Sequence, residues 1–232
     1  MKFKLPRQTI DPEINRIVSR EVREQKLHVF RANKSELKEI AEMCRAIRKS
    51  GLPKHLVCKK LPDGLGYGIF LHPKAKPIEK GEIIAPYSGK TSFVPQNIPD
   101  DSVYAFAPLD NIILTKDEQA QFDPERRYRP RRIYQLNVDG ERQGNFTRFI
   151  NHSEKPNIVA DLYRIGPNSY GLEPSSLEVL YIASKKIHPG EQLLVCYEGD
   201  DKSYWSVLNI KPAPITPKTF RLDSSLKLIG SI

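Results

Sequence analysis

From Leu56 onward the apolar residues of this chain come only in runs of strand length, cut apart by glycine and proline. The runs are Gly68–Leu71, Glu82–Tyr87, Val103–Ala107, Asn111–Leu114, Glu178–Ala183 and Gln192–Tyr197. Short strands joined by Gly/Pro turns close several small sheets. They do not build βαβ units, which need a long helical crossover between strands. The expected fold class is therefore α+β, mainly β. The sequence has no internal repeat and no low-complexity tract.

A chain of 232 residues, 39% hydrophobic and 28% charged, can bury one sizeable core, or one core with small flanking pieces. No apolar run approaches the roughly 18–20 residues that span a bilayer, which excludes an integral membrane protein with helical spans. The start, MKFKLPRQTI, has basic residues but no apolar stretch behind them. No Sec-type signal is visible, so the expectation is a cytoplasmic protein of the producing cell, with secretion by another route left open. Cys44, Cys58 and Cys196 are far apart and odd in number, which argues against a disulfide framework and a cysteine-based metal site. The net charge of +9 points to acidic partners, and its densest cluster is RRYRPRR at 126–132. No zinc finger, recognition helix or RNA-binding signature accompanies it, so nucleic acid is a side reading beside a plain solvated basic loop.

The first 55 residues read as helical. Asp11-Pro12-Glu13 starts one helix, with Ile14, Ile17, Val18 and Val22 at helical spacing. Asn33 and Glu36 form a capping-box pair for a second, whose Leu37, Ile40, Ala41, Cys44 and Ile47 share a face until Gly51 and Pro53 stop it. The two faces either cover the main core or make a homodimer contact. A central region of 56–200 follows, and inside it an insert at about 111–133 is charged, with 115–132 poor in aliphatic residues. A tail of 201–232 carries Tyr204, Trp205, Val207 and Leu208 as two turns of helix before Pro212, Pro214 and Pro217.

Three stretches carry chemistry. In GNFTRFINHSEKPN, 144–157, an apolar run leads directly into Asn151-His152-Ser153, which suggests a polar pocket floored by a hydrophobic layer. The alternative is a strand ending in an Asn/Ser/Pro turn. Gly64-Leu65-Gly66-Tyr67-Gly68 precedes a strand, whereas a dinucleotide fingerprint needs a helix there. It is either a ligand-approaching turn or an ordinary one. Gly190–Tyr197 is a turn feeding an apolar strand that ends on a tyrosine, a common place for an amphipathic aromatic.

Their order is more informative than any one of them. GLGYGIF at 64–70, IEKGEIIAPYSG at 78–89, VYAFAPLD at 103–110, VDGERQGNFTRFINHSEKPN at 138–157 and YIASKKIHPGEQLLVCYEG at 181–199 together resemble the SET-domain protein lysine methyltransferases over residues 56–200. The compact length is similar to stand-alone bacterial members of the chlamydial nuclear-effector type. The resemblance implies a SET fold, several short curled sheets with a threaded C-terminal segment. It also implies S-adenosylmethionine as cofactor and lysines of a basic protein, histone or histone-like, as substrate. Gly66, Tyr67 and Gly68 are then expected to contact the cofactor through the backbone, with Asn151, His152 and Trp205 beside it. Tyr197 matches the family's catalytic tyrosine and Tyr104 a tyrosine of the lysine channel. No metal is implied.

The chemistry fits those residue types. Neutralising a lysine of pKa about 10.4 at pH 7 costs roughly 4–5 kcal/mol. A narrow apolar channel and a nearby sulfonium both reduce that cost. A phenol of pKa about 10 is a poor base at neutral pH, which assigns Tyr197 to aligning the reacting atoms. The chain departs from the family in three ways: it lacks a cysteine-rich zinc-binding tail, Val195 stands where a Phe or Tyr often limits methylation degree, and its insert is arginine-rich. The insert would repel a basic peptide unless Asp100, Asp101, Asp110, Asp117, Glu118, Asp123 or Glu125 faces it. Two rivals remain in view, a catalytically silent SET fold binding basic proteins and a basic nucleic-acid-binding protein.

Overall fold

The computed structural model describes residues 12–26, 30–96, 102, 104–165, 176–198, 205, 209 and 211–231. Helix α1 (Pro12–Glu24) buries Ile14, Ile17, Val18 and Val22, the helically spaced set. Its expected cap, Asp11, lies outside the described residues. After a two-residue strand β1 (Phe30–Arg31), helix α2 (Lys34–Ser50) begins on the expected capping box. The Asn33 carboxamide oxygen accepts from the Ser35 and Glu36 amides at 2.9 and 3.0 Å, and the Asn33 amide donates to Glu36 at 2.7 Å. Gly51 ends it at φ 75°, a left-handed position that a side chain would strain, its amide donating to Ile47 O. Ile40 and Ile47 are buried, so the apolar faces of both helices lie in the chain's own core.

The remainder is mainly β. Strands β2 (Leu56–Lys60) and β3 (Tyr67–Leu71) pair around the glycine turn. Next come β4 (Ile83–Pro86), β5 (Lys90–Pro95), β6 (Ala105–Ile113), a short helix α3 (Lys116–Phe122) and β7 (Ile133–Asp139). The order β5-β7-β6 makes one antiparallel sheet. The expected strands at 103–107 and 111–114 are joined in β6, whose register against β7 shifts twice. Asn111, at φ 55°, lies in the second shift, so bulging takes up a polar stretch inside one strand. Helix α3 takes up seven residues of the insert, and Thr115 and Glu118 cap it reciprocally.

A 3₁₀ turn (Phe146–Phe149) leads to β8 (Asn151–His152), β9 (Ile158–Ile165), β10 (Ser176–Ala183) and β11 (Leu194–Val195). The largest sheet runs β4-β10-β9-β11-β8, with β1 beside β9. The tail adds a small pair, β12 (Arg221–Leu222) and β13 (Leu228–Ile229). Strand β11 lies between β8 and β9 and is parallel to both, so the late chain passes through the bend made by residues 151–158. This is the threading that the resemblance implies. The main core, including Ile69, Ile84, Phe146, Ile150, Ile158 and Val195, lies against this crossing. A second cluster joins α1 to the β5-β7-β6 sheet through Ile17, Phe93, Ile112 and Tyr134. A third packs Ile215, Phe220 and Leu222 of the tail on Leu61, Phe70 and Leu194.

Candidate active site

The 144–157 stretch folds around its own polar side chains. Asn145 is buried and fully used: its amide donates to Ser88 Oγ at 2.9 Å, its Nδ2 to Pro86 O at 2.8 Å, and its Oδ1 accepts from the Thr147 amide at 2.8 Å. That last bond caps the 3₁₀ turn and sets the exit direction into β8. At the far end Asn157, with no exposed surface, acts as a two-handed clamp. Its Nδ2 donates to Gln192 O and its Oδ1 accepts from the Leu194 amide, both at 2.8 Å. Ser153 is held likewise, donating to Ile215 O at 2.6 Å while its amide donates to Val195 O at 3.0 Å. Asn and Ser side chains here stand in for strand partners that two-residue strands cannot supply.

This clamp brings the three sequence stretches together. Asn151 Nδ2 donates to Tyr67 O at 2.9 Å, joining β8 to the glycine turn and leaving Asn151 Oδ1 as an acceptor at its edge. Gly66 is exposed at φ 71°, with nothing within 4 Å of where a Cβ would stand, so its backbone is open to close approach. Gly68 has a different reason for being glycine. It is buried in β3, and a Cβ there would meet Gln192 Nε2 at 2.7 Å. Gln192 is fully buried with neither side-chain polar atom paired, so the space over Gly68 is already filled by this chain.

His152, Tyr197 and Trp205 form one aromatic group. The His152 ring lies edge-on to Tyr197 and to Trp205, with centroids 5.5 and 4.9 Å away, and Tyr197 and Trp205 lie near-parallel at 6.0 Å. Nδ1 of His152 faces the Tyr197 amide at 3.1 Å and Nε2 faces the Trp205 indole N–H at 3.3 Å. A neutral imidazole has one lone-pair nitrogen, so it accepts only one of these at a time. We assign Nδ1 as the acceptor, because the amide is shorter and fixed by the backbone. Burial pushes the His152 pKa down, with Glu198 and Glu154 opposing, so the ring is neutral at pH 7. Of the other residues expected in the tail helix, Tyr204, Val207 and Leu208 lie outside the described residues.

The Tyr197 hydroxyl donates to Ile150 O at 2.8 Å, which pins the phenol at the mouth of the core and leaves its oxygen able to accept. Next to it stand two tyrosines that the motifs contain but that the sequence reading did not single out. Tyr181 is enclosed, its rings 5.5 Å from those of Tyr87, and burial raises its pKa well above the usual phenol value, with Tyr87 and Tyr197 adding to the effect. Tyr87 donates to Tyr104 O. Tyr87 follows β4 and Tyr181 lies within β10, where it pairs with Ala85, so the sheet register brings the two rings together, and no single stretch specifies that register. Tyr104 enters this group through its backbone carbonyl. Its ring makes no hydrogen bond or ring contact among the described residues. Tyr87 also lines a cavity under α1 with Asn15, Thr91 and Glu178.

The arrangement can receive a small zwitterionic or amide-rich ligand at Gly66, Tyr67 and Asn151, beside an enclosed cluster of neutral phenols. Among the described residues no three His, Cys, Asp or Glu side chains gather as a metal site. No described helix is long and apolar enough to cross a membrane. Of the insert's acids, Glu118 and Asp123 are engaged by arginines of the chain itself, while Asp110, Asp117 and Glu125 are exposed. Asp100 and Asp101 lie outside the described residues.

Residues 66–198, more than half of the chain, match the family described as SET domain. Among solved structures, ATXR5 in complex with a mono-methylated histone H3.1 is similar over 74% of this chain and 69% of its own, at 19% identity and a TM-score of 0.49. ATXR5 with a di-methylated histone H3 is similar over 74% and 70%, at 19% identity and TM-score 0.49. The methyltransferase domain of human histone-lysine N-methyltransferase SETMAR is similar over 67% of this chain and 48% of its own, at 22% identity and TM-score 0.42. No curated protein matches the sequence.

Proposed function

The chain belongs to the SET-domain family, and from that premise we propose that it transfers methyl groups from S-adenosylmethionine to lysine side chains of basic proteins, histones or histone-like proteins. Residues 56–200 are the catalytic unit in this reading, with the helices of 1–55 and the tail of 201–232 as its flanks. One observation supports it above the others. Residues from three separate stretches converge, with Asn151 bonded to Tyr67 O across 84 positions and Tyr197 bonded to Ile150 O across 47.

The residues present fit the cofactor's chemistry. The open backbone at Gly66 and Tyr67 and the Asn151 carboxamide suit a methionine ammonium and carboxylate, which need fixed donors and acceptors. His152 and Trp205 offer an aromatic wall, the His152 side chain being occupied within the protein so that its contribution to a ligand comes from the backbone. Gly68 contributes by making room for Gln192 and keeping β3 close to β11. When bound, S-adenosylmethionine supplies a methyl group on a positively charged sulfur.

The protein's own part is alignment and neutralisation. The Tyr197 O–H donates its hydrogen bond to Ile150 O, so its oxygen would accept from a lysine N–H and leave the nitrogen lone pair directed away. Tyr181 and Tyr87 are buried behind it and would back a lysine chain with uncharged surface. A low-dielectric wall disfavours the ammonium and makes the neutral amine accessible near pH 7. No group here needs to act as a strong base. Val195, buried and paired with His152, brings neither hydroxyl nor ring to that position.

The test is transfer of labelled methyl from S-adenosylmethionine to histones and to a bacterial histone-like protein, with Tyr197→Phe alongside. Wild-type labelling that falls by about 100-fold in the variant is expected, the scale of losing one aligned hydrogen-bonding group. Full activity in a folded Tyr197→Phe would refute the alignment role. Absence of both labelling and cofactor binding would refute the proposal as a whole.

A further inference from the structure

The basic segment 126–132 is not used by the methyl-transfer reading, and it is built more firmly than a solvated loop requires. It leaves α3 at Asp123, whose buried carboxylate accepts from Arg126 at 2.8 Å, from Arg132 at 3.3 Å and from the Tyr134 hydroxyl at 3.1 Å. Gln119, also buried, clamps the middle of the loop: its Nε2 donates to Arg129 O at 3.0 Å and its Oε1 accepts from the Arg129 amide at 3.2 Å. Helix α3 in turn is tied to α1, because Glu118 accepts from Arg20 at 2.8 Å and from Arg16 at 2.9 Å. Both ends and the centre of the loop are therefore fixed to the core.

What this frame holds out is selective. Arg126 and Arg132 are bound to Asp123. Arg127, Arg129 and Arg131 are exposed and have no carboxylate partner among the described residues. Tyr128 stands between them, 41% exposed. Holding like charges together in one short segment is unfavourable by itself, and two buried polar side chains are used to do it.

We propose that Arg127, Tyr128, Arg129 and Arg131 form a docking surface for nucleic acid. The guanidinium groups would pair with backbone phosphates and the tyrosine would stack on a base. Guanidinium forks match phosphate oxygens, and an aromatic among them is the composition that single-stranded nucleic acid rewards. An acidic protein surface would be served equally well by the arginines; what nucleic acid adds is a run of base faces on which the exposed Tyr128 ring can stack, so the ring is the feature that separates the two in the test. A loop already ordered before binding loses little entropy on docking. The proposal does not depend on methyl transfer.

The test is fluorescence anisotropy of the full chain with a labelled DNA single strand of about 20 nucleotides and with its duplex, across salt. Three phosphate contacts on duplex give a log–log slope of about −2.7, or about 40-fold weaker binding between about 50 and 200 mM salt. The triple variant Arg127→Ala, Arg129→Ala, Arg131→Ala is expected to lose at least about 10-fold in affinity and most of the slope. Its charge-preserving lysine counterpart keeps the slope and controls for folding. Tyr128→Ala is expected to weaken the single strand by about 10-fold and leave the duplex unchanged. Binding that the triple alanine variant retains, or polyglutamate competing as well as DNA of equal charge, would overturn it.

Discussion

Two parts of this protein face the same task, fixing a short segment that pairs poorly by itself, and meet it with different chemistry. At the crossing of β8, β9 and β11, neutral side chains do the joining: Asn157 holds residues 192 and 194, Ser153 holds Ile215, and His152 meets the Tyr197 amide. At the insert, charges do it: Glu118 with Arg16 and Arg20, and Asp123 with Arg126 and Arg132. Neutral clamps bury completely without a desolvation penalty for charge, so they suit the crossing, where Asn157 has no exposed surface. Charged clamps keep one partner near water, as Arg16 and Arg126 do, and suit a surface element. The two regions should therefore respond differently to truncation and to pH.

The largest effect is expected at the crossing. Asn157→Ala leaves a carbonyl and an amide unpaired in the core and should cost about 3–5 kcal/mol, read from the urea midpoint. Glu118→Gln keeps the shape of the α3 cap but loses its charge and should cost about 2 kcal/mol by the same measurement. If the second change costs more than the first, the charged region is the stronger of the two and the comparison is inverted.

Acid should separate the regions. The His152 pKa is lowered by folding, so the unfolded chain binds the proton more readily. The stability tied to neutral His152 is complete above its ordinary value of about 6.5 and is lost as pH falls below it. Trp205 is the single tryptophan, so its emission should titrate in that window and stop doing so in His152→Asn. For Glu118, burial would raise the pKa, but the Thr115 amide and the Arg20 and Arg16 guanidinium groups outweigh it and hold the carboxyl below its usual range. Its contribution is present above about pH 4.3 and disappears as pH falls through the lowered folded value. Two acid transitions, the first seen by Trp205 and the second removed by Glu118→Gln, would sharpen the contrast. One shared transition would break it. The smallest effect belongs to Arg126→Ala, expected to cost less than about 1 kcal/mol in thermal melts, because that arginine is half in water and Arg132 still binds Asp123.

The parts readable beforehand were those whose cause is close in sequence. The Asn33 capping box, the Gly51 stop and the helical face of α1 each depend on residues within a turn or two. The stretches bearing Asn151, His152 and Tyr197 could be marked from motif order. Strands β7 and β9 were not anticipated, because IYQLNVD buries Asn137 and IVADLYRI carries Asp161 and Arg164, so neither shows clean alternation. Asn157 lay in a marked stretch without an assigned role, since its value depends on Gln192 and Leu194.

The sequence by itself determined the strand-length punctuation, the two N-terminal helices with the capping box of the second, and the family order of motifs, all properties set by local sterics and backbone hydrogen bonding. Only the tertiary structure decided that Gly68 makes room for Gln192, that Tyr87 and Tyr181 join Tyr197, and that three arginines of the loop stand clear while two are bound. Each of those outcomes depends on a partner brought in by folding from elsewhere in the chain or from another face of the same loop, and no pattern in a single stretch specifies which partner that is.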